Sequence, residues 1–324
     1  MTITKLARLT GYSVSTVSKA LSNKKDVSEF ARQKIIEKAK ELGCYEKFCK
    51  ENYDRKIIAV LCPEANSQFY SKMLSTLNQY IEELGGTMAI SLTEFSKSKT
   101  EKLFGLYSGN KRADGIILFD GGNLVKKYSS VPVVVLGSGQ NLYADTISMD
   151  SSRGFYEAVG LLKGYGHRKI GFIGEKLTNG KLRQFLTAMQ KHGLEVEQNF
   201  IVVSKDCRFE QAGFNGIQTL FSQKEVPTAV ICAYDNIALG AIAGAEKMGV
   251  KVPSDLSVIG CDNMQIASYN KISLSSIDLN IEESCRMAVD LLFNKLSKFG
   301  YCINKHVSIS SSYVDRNTVA PVKN

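Results

Sequence analysis

From Ile57 onward the chain alternates short apolar runs with amphipathic stretches at helical period, and this pattern leaves few folds open. The runs are IIAVLC (57–62), TMAISL (87–92), GIILF (115–119), VPVVVL (131–136), KIGFIG (169–174), FIVV (200–203), TAVICA (228–233) and LSVIGC (256–261). Helical stretches near 69–84, 98–110, 154–164, 180–192, 210–222 and 236–248 separate them. Runs this continuously apolar are strands buried on both faces, which means parallel sheets covered by helices on each side. The strands form two groups split near residue 148, so the spacing predicts two doubly wound lobes. Ligands of such sheets sit off the carboxyl ends of the strands, and a cleft between lobes is the natural site. Ser67, Phe69, Asp120, Lys181, Tyr234, Asp235 and Asp262 lie at those ends. Carboxylates and an ammonium around an aromatic platform suit a polyhydroxylated ligand, because each hydroxyl both donates and accepts. Each aspartate could equally cap the turn or helix that follows its strand.

The first 43 residues follow a different pattern. In MTITKLARLTGYSVSTVSKALSN, Leu6, Ala7 and Leu9 supply an apolar face and Gly11 stops a first helix. Ser13 stands where a second helix needs an N-cap, and Val17, Ala20 and Leu21 continue inward at helical spacing. A third capped run, from Ser28 to Leu42, puts Ala31, Ile35, Ala39 and Leu42 on one face and stops at Gly43. Three such helices make a helix-turn-helix unit, whose second helix can enter the DNA major groove. Its outward residues are Ser15, Thr16, Ser18 and Lys19. Serine and threonine are mediocre helix formers, so their density on one short helix points to a surface made for phosphates and base edges. Charge agrees: residues 1–56 hold 13 Lys/Arg against 7 Asp/Glu, a net +6 out of +9 for the whole chain. A merely solvated basic surface would not concentrate charge in this way.

A length of 324 residues suggests two or three domains, and 44% hydrophobic with 23% charged residues is ordinary globular composition, which excludes a disordered chain. No apolar run approaches the ~20 residues of a membrane span, and MTITKLARLTG carries charge where a signal peptide would be apolar. The expectation is a cytoplasmic protein associated with the nucleoid, without a membrane partner. Histidines occur only at 167, 192 and 306, and Cys44 and Cys49 have no histidine nearby, so the eight cysteines are read as free thiols. No metal and no cofactor are expected.

Six segments, in order, resemble the lactose-repressor/galactose-repressor (LacI/GalR) family of bacterial transcription regulators. They are SVSTVSKALSN (13–23), VSEFARQKIIEKAKELG (27–43), ISMDSSRGFYEA (147–158), GYGHRKIGFIG (164–174), YDNIALGAIAGAEKMGVKVPSDLSVIGCDN (234–263) and LSSIDLNIEE (274–283). The resemblance covers nearly the whole chain. It implies an α/β protein with an all-α helix-turn-helix headpiece (1–46) and a hinge or linker (47–56). A two-lobed core like periplasmic binding proteins follows, its lobes 57–148 plus 278–305 and 149–277 plus 306–324. It also implies a homodimer on double-stranded operator DNA, a small-molecule effector such as a sugar or sugar derivative, and no enzymatic activity. With no apolar heptads after Val314, a coiled-coil tetramer is not expected.

By the same resemblance, base-reading positions fall on Ile3, Val14, Ser15 and Lys19, and phosphate-contacting positions on Thr2, Ser13, Thr16, Ser18, Ser22 and Ser28. Lys19 stands where an arginine is common, so a bidentate guanine contact becomes a single-point one. The segment GCYEKFCKENYDRKIIAV lacks the family's Tyr-x-Pro-Asn turn and Ala-Arg-x-Leu hinge helix. Phe48 is left as a candidate minor-groove wedge, and residues 44–56 are expected to be irregular without DNA. In the effector site Lys181 replaces an arginine, Tyr234 an asparagine and Leu279 a glutamine, while Asp262 is retained. Lys181 with Arg208 opens the alternative of an anionic ligand such as a sugar phosphate. The expected function is thus a ligand-responsive regulator, a repressor of a carbohydrate-use operon. A solute receptor without a DNA role would not carry the helix-turn-helix. An enzyme on this fold would be expected to show a Gly-rich phosphate loop or a G-x-S-x-G elbow, and neither occurs.

Overall fold

The computed structural model describes the chain except for residues 23, 25, 49–54, 110, 111, 126–128, 138–140, 270–272, 298–302 and 324. It divides into two units, Met1–Lys56 and Ile57–Asn324.

The first unit contains α1 (Ile3–Thr10), α2 (Val14–Leu21), α3 (Glu29–Glu41) and the short α4 (Tyr45–Phe48). Hydroxyls start the first three: Thr2 accepts from Lys5 N, Ser13 from Thr16 N and Ser28 from Ala31 N. Gly11, left-handed at φ 77°, ends α1 and gives its N–H to the Ala7 carbonyl. Leu6, Val17, Leu21, Ile35 and Ala39 form the centre of a small core. Leu9 departs from expectation: it is 48% exposed, and Thr10 is buried instead, its hydroxyl donating back to the Leu6 carbonyl. Phe48 is half-buried against this core, which weighs against its use as a free wedge. The expected irregularity of 44–56 does not hold at 45–48, which form α4, or at Lys56, which opens a strand, and 49–54 lie outside the described residues.

The second unit runs β1 (Lys56–Cys62), α5 (Gln68–Glu83), β2 (Gly86–Leu92), α6 (Lys97–Gly109), β3 (Gly115–Phe119), β4 (Val133–Leu136) and β5 (Asp145–Asp150) through its first half. There follow α7 (Ser152–Gly164), β6 (Ile170–Glu175), α8 (Asn179–Lys191), β7 (Ile201–Ser204), α9 (Phe209–Phe221), β8 (Ala229–Cys232), α10 (Asp235–Lys247) and β9 (Ser257–Cys261). The chain ends with α11 (Ile266–Tyr269), β10 (Ser275–Asp278), α12 (Ile281–Ser297), β11 (His306–Ser310) and β12 (Ser312–Val314). One six-stranded sheet has the order β11-β5-β4-β3-β1-β2 and the other β12-β10-β9-β8-β6-β7. Strand pairs β1·β3, β3·β4, β4·β5 and β5·β11 are parallel, as are β7·β6, β6·β8, β8·β9 and β9·β10. β12 is antiparallel to β10, so the second sheet is mixed at its edge rather than purely parallel. Helix α9 lies so close to α10 that a Cβ at Gly213 would overlap the Ile237 carbonyl.

The chain passes between the sheets three times, near 150–152, 278–281 and 310–312. Residues 306–310 therefore belong to the first sheet, beside β5, and not to the second lobe as expected. The crossings hold one another. Ser311 N donates to the Asp150 carbonyl, Asn280 Nδ2 to the Ser310 carbonyl, and Gly154 N to Ser311 Oγ. All the crossing strands lie at one side of their sheets: β5 and β11 in the first, β10 and β12 in the second.

Candidate functional site

On the headpiece, α2 turns Val17, Ala20 and Leu21 inward and leaves Val14, Ser15, Ser18 and Lys19 exposed. Thr16 and Ser22 are half-buried, as is Ile3, which packs against the headpiece core instead of standing clear of it. Thr2, Ser13 and Ser28 already accept a backbone N–H as caps, yet a hydroxyl keeps its own proton to donate. Ser13 Oγ and Thr16 Oγ1 lie 2.8 Å apart. Sequence reasoning missed the partner of Lys19: its ammonium pairs with Asp26 at 2.5 Å, both side chains about half exposed. That hydrogen bond holds the Asp26 carboxyl below its ordinary value.

In the second unit a cavity of about 140 Å³ lies between the sheets' carboxyl ends. Of the residues named at strand ends, Ser67, Phe69, Lys181, Tyr234 and Asp262 line it, and so does Arg208, named for the anionic alternative. Ser67 caps α5, accepting from Tyr70 N, so its hydroxyl faces the cavity already half used. Lys181, in the first turn of α8, donates to Asp262 Oδ1 at 2.5 Å and to the Ala233 carbonyl at 2.8 Å. Its ammonium also lies 4.6 Å from the centre of the Tyr234 ring. Burial works against the Lys181 charge, but Asp262 outweighs it and the pKa rises. Burial likewise pushes the Asp262 carboxyl up while Lys181 pulls it back. Asp262 and Asn263 have φ of 99° and 48°, a left-handed kink just past β9.

Two of the predicted residues do not line the cavity. Asp235 is fully buried, accepting from Met264 N at 2.6 Å and Ser276 Oγ at 2.5 Å, and so anchors the turn after β9. Asp120 is exposed at the end of β3, at φ 50°, packed over Gly137. Leu279, at the glutamine position, is buried in the core.

Glu64, Gln68, Tyr70, Phe209, Asn236 and Met264 complete the lining and were not foreseen. Glu64 matters most. Arg208 donates to both of its carboxylate oxygens, at 2.8 and 3.0 Å, and to Glu175 at 3.3 Å. Glu175, wholly buried, accepts the Tyr234 hydroxyl as well, at 3.3 Å. Glu64 and Glu175 each end an apolar run, the one signal that could have flagged them. Lys181 and Arg208 are thus matched by three carboxylates, Glu64, Glu175 and Asp262. The site carries no spare positive charge, and the argument for an anionic ligand loses its basis.

A three-helix reader and a two-lobed core with a cleft, carried on one chain, are the parts of a DNA-binding regulator with its own ligand-binding domain. A sequence profile of the lacI family of bacterial regulatory proteins matches residues 2–45, and one of a periplasmic binding protein-like domain matches 159–319. The chain is 27% identical over 341 residues to the HTH-type transcriptional repressor PurR of Proteus mirabilis, covering 98% of this chain and 97% of that protein. The PurR of Klebsiella pneumoniae is also 27% identical, over 340 residues, with the same coverage. Among solved structures, a LacI-family regulator from Silicibacter pomeroyi superposes with a TM-score of 0.81 at 20% identity, covering 99% of both chains. The lac repressor dimer bound to operator and the anti-inducer ONPF gives 0.74 at 20% identity, again with 99% of both chains. The chain belongs to the LacI/GalR family: it is a DNA-binding transcription regulator with a periplasmic-binding-protein-like domain, not an enzyme. Among the described residues no helix is long and apolar enough to cross a membrane.

Proposed function

We propose that this regulator is a repressor that binds a pseudo-palindromic operator as a homodimer, with α2 in the major groove, and takes a small neutral polyhydroxylated ring in its cleft. The observation that carries the DNA reading is the division of α2: three apolar residues buried, and Val14, Ser15, Ser18 and Lys19 exposed along the other side. Lys19 and Ser15 read bases, with Val14 against a thymine methyl. The hydroxyls of Thr2, Ser13, Thr16, Ser18, Ser22 and Ser28 contact phosphates. Two headpieces then match two half-sites.

For the ligand, three carboxylates against two cations favour a neutral molecule. A volume of about 140 Å³ has room for a single ring such as a monosaccharide. A LacI-family regulator from Enterococcus faecium with bound ribose, similar in fold at a TM-score of 0.71, is consistent with that size. A sugar or sugar derivative would place the protein in control of a carbohydrate-use operon in the cytoplasm, at the nucleoid. The rings of Phe69, Tyr70, Phe209 and Tyr234 around the cavity support a second reading, a flat nitrogen heterocycle stacked on an aromatic face.

Selection of operator DNA from a random library, followed by titration of Lys19→Ala, tests the first half. Loss of about 1–3 kcal/mol confined to the selected operator is expected, with relaxed choice at one position of each half-site. Equal loss on random DNA would make Lys19 a phosphate contact only. Calorimetric titration of wild type and Asp262→Asn with panels of monosaccharides, sugar phosphates and nucleobases tests the second half. A monosaccharide that binds wild type and is weakened by Asp262→Asn is the expected result. Binding of a nucleobase alone would select the second reading, and binding of sugar phosphates alone would overturn the neutral-ligand argument.

A further inference from the structure

We infer that Arg208 is an ionic clasp that holds the two lobes closed without any ligand, with Glu64 as its catch. Glu64 stands two residues past β1 in the first lobe, and Arg208 four residues past β7 in the second. Their contact is bidentate, at 2.8 and 3.0 Å, the arrangement in which a guanidinium and a carboxylate bind most directionally. The side chains are only 26% and 13% exposed, so water and salt screen the pair poorly.

Its place in the fold gives the contact leverage. The three crossings occupy the β5–β11 side of one sheet and the β10–β12 side of the other. β1 and β7 lie at or next to the opposite edges. A rotation that opens the lobes about the crossings moves these far edges most, so a bond there resists opening more than one near the hinge.

The surroundings are built for the guanidinium. It lies 4.4 Å from the centre of the Phe209 ring and 5.7 Å from that of Phe95, which belongs to the first lobe. Both phenylalanines have positive φ, 53° and 56°, a conformation that bulky side chains rarely adopt and that folds retain where it serves a purpose. Glu175, buried in Arg208's own lobe, is the second carboxylate. When the lobes part, Arg208 stays paired with Glu175 while Glu64 passes to water. The open state therefore strands no buried charge, and the clasp can release and re-form. The effector then meets a cleft that is already closed: it enters during transient release, and its binding energy is not spent on drawing the lobes together.

Spin labels on genetically encoded residues at Lys97 and Lys205, both exposed and one in each lobe near the clasp, report the opening without touching the cysteines. The full chain without ligand, at physiological salt, should give a short, narrow distance distribution. Glu64→Gln and Arg208→Ala should shift it to longer, broader distances. Methylguanidinium should restore the short distance in Arg208→Ala, because Glu64, Glu175 and both rings remain to bind it. A ligand-free wild type that is already open would overturn the clasp. So would Glu64→Gln and Arg208→Ala chains that unfold at the wild-type temperature and keep the wild-type distance. If Arg208→Ala does not fold, Glu64→Gln decides alone, since it leaves Arg208 on Glu175. No effector is needed, so the outcome is independent of the ligand's identity.

Discussion

Lys19–Asp26 in the headpiece and Lys181–Asp262 in the cleft are the same chemical pair at the same 2.5 Å separation, placed in different solvents. The first pair is 48% and 55% exposed, the second 17% and 3%. In water the attraction is offset by ordering two mobile side chains and is screened by salt. Lys19 is thus lightly held and can exchange Asp26 for a base or a phosphate. Out of water the same pair is costly to separate, because either partner alone would be a buried, uncompensated charge. Lys19 stays available for DNA, whereas Lys181 is committed to its carboxylate.

The largest effect should come from breaking the buried pair. Lys181→Met leaves Asp262 alone in the cleft wall and should cost about 3–5 kcal/mol in urea unfolding of the core. The double change Lys181→Met/Asp262→Leu should cost clearly less than the single one, since no charge is then left unpaired. Equal costs would mean that Asp262 is better solvated than its 3% exposure indicates.

A smaller, pH-dependent effect is expected at Asp235. Burial first, and then the neighbouring Asp262 charge, push its carboxyl from an ordinary 3.8 up to about 7. The fold therefore favours the protonated acid. That contribution to stability is whole below 3.8, falls as pH rises, and is gone once pH passes about 7. Thermal unfolding of wild type relative to Asp235→Asn should decline across this window, because asparagine stays neutral and can still accept from Met264 N. Parallel profiles would show that Asp235 ionises normally.

The exposed pair gives the smallest change. Asp26→Asn should leave unfolding of the headpiece unmoved, yet tighten operator binding by removing a competitor for Lys19 and a negative charge near the phosphates. A measurable loss of headpiece stability would contradict the contrast drawn between the two pairs.

The two regions also differ in how far they could be read from the chain. Thr2, Ser13 and Ser28 cap helices whose buried residues recur three and four positions apart, so the headpiece follows from contacts within a turn or two. Leu9 and Thr10 exchanged roles because a one-residue step on a helix turns a side chain by more than a quarter circle. In the core the strongly apolar strands were visible, but β5, β10, β11 and β12 were not, because polar residues interrupt their apolar ones. These are the strands that cross between lobes or flank the crossings, and in β10 the buried Ser275 and Ser276 hydroxyls are used as hydrogen-bond partners of Arg316 N and Asp235.

The sequence by itself determined the helix-turn-helix, the two sets of buried strands, the family and half of the cavity lining, since each rests on short-range periodicity or on motifs in order. Only the tertiary structure decided what the charges do. Arg208 meets Glu64 across 144 positions and Lys181 meets Asp262 across 81. Strand order and lobe closure bring them together, and nothing local to any of the four residues encodes its partner. A cation's chemistry depends on what neutralises it, and for a site assembled from strand ends that is fixed only when the sheets are in place.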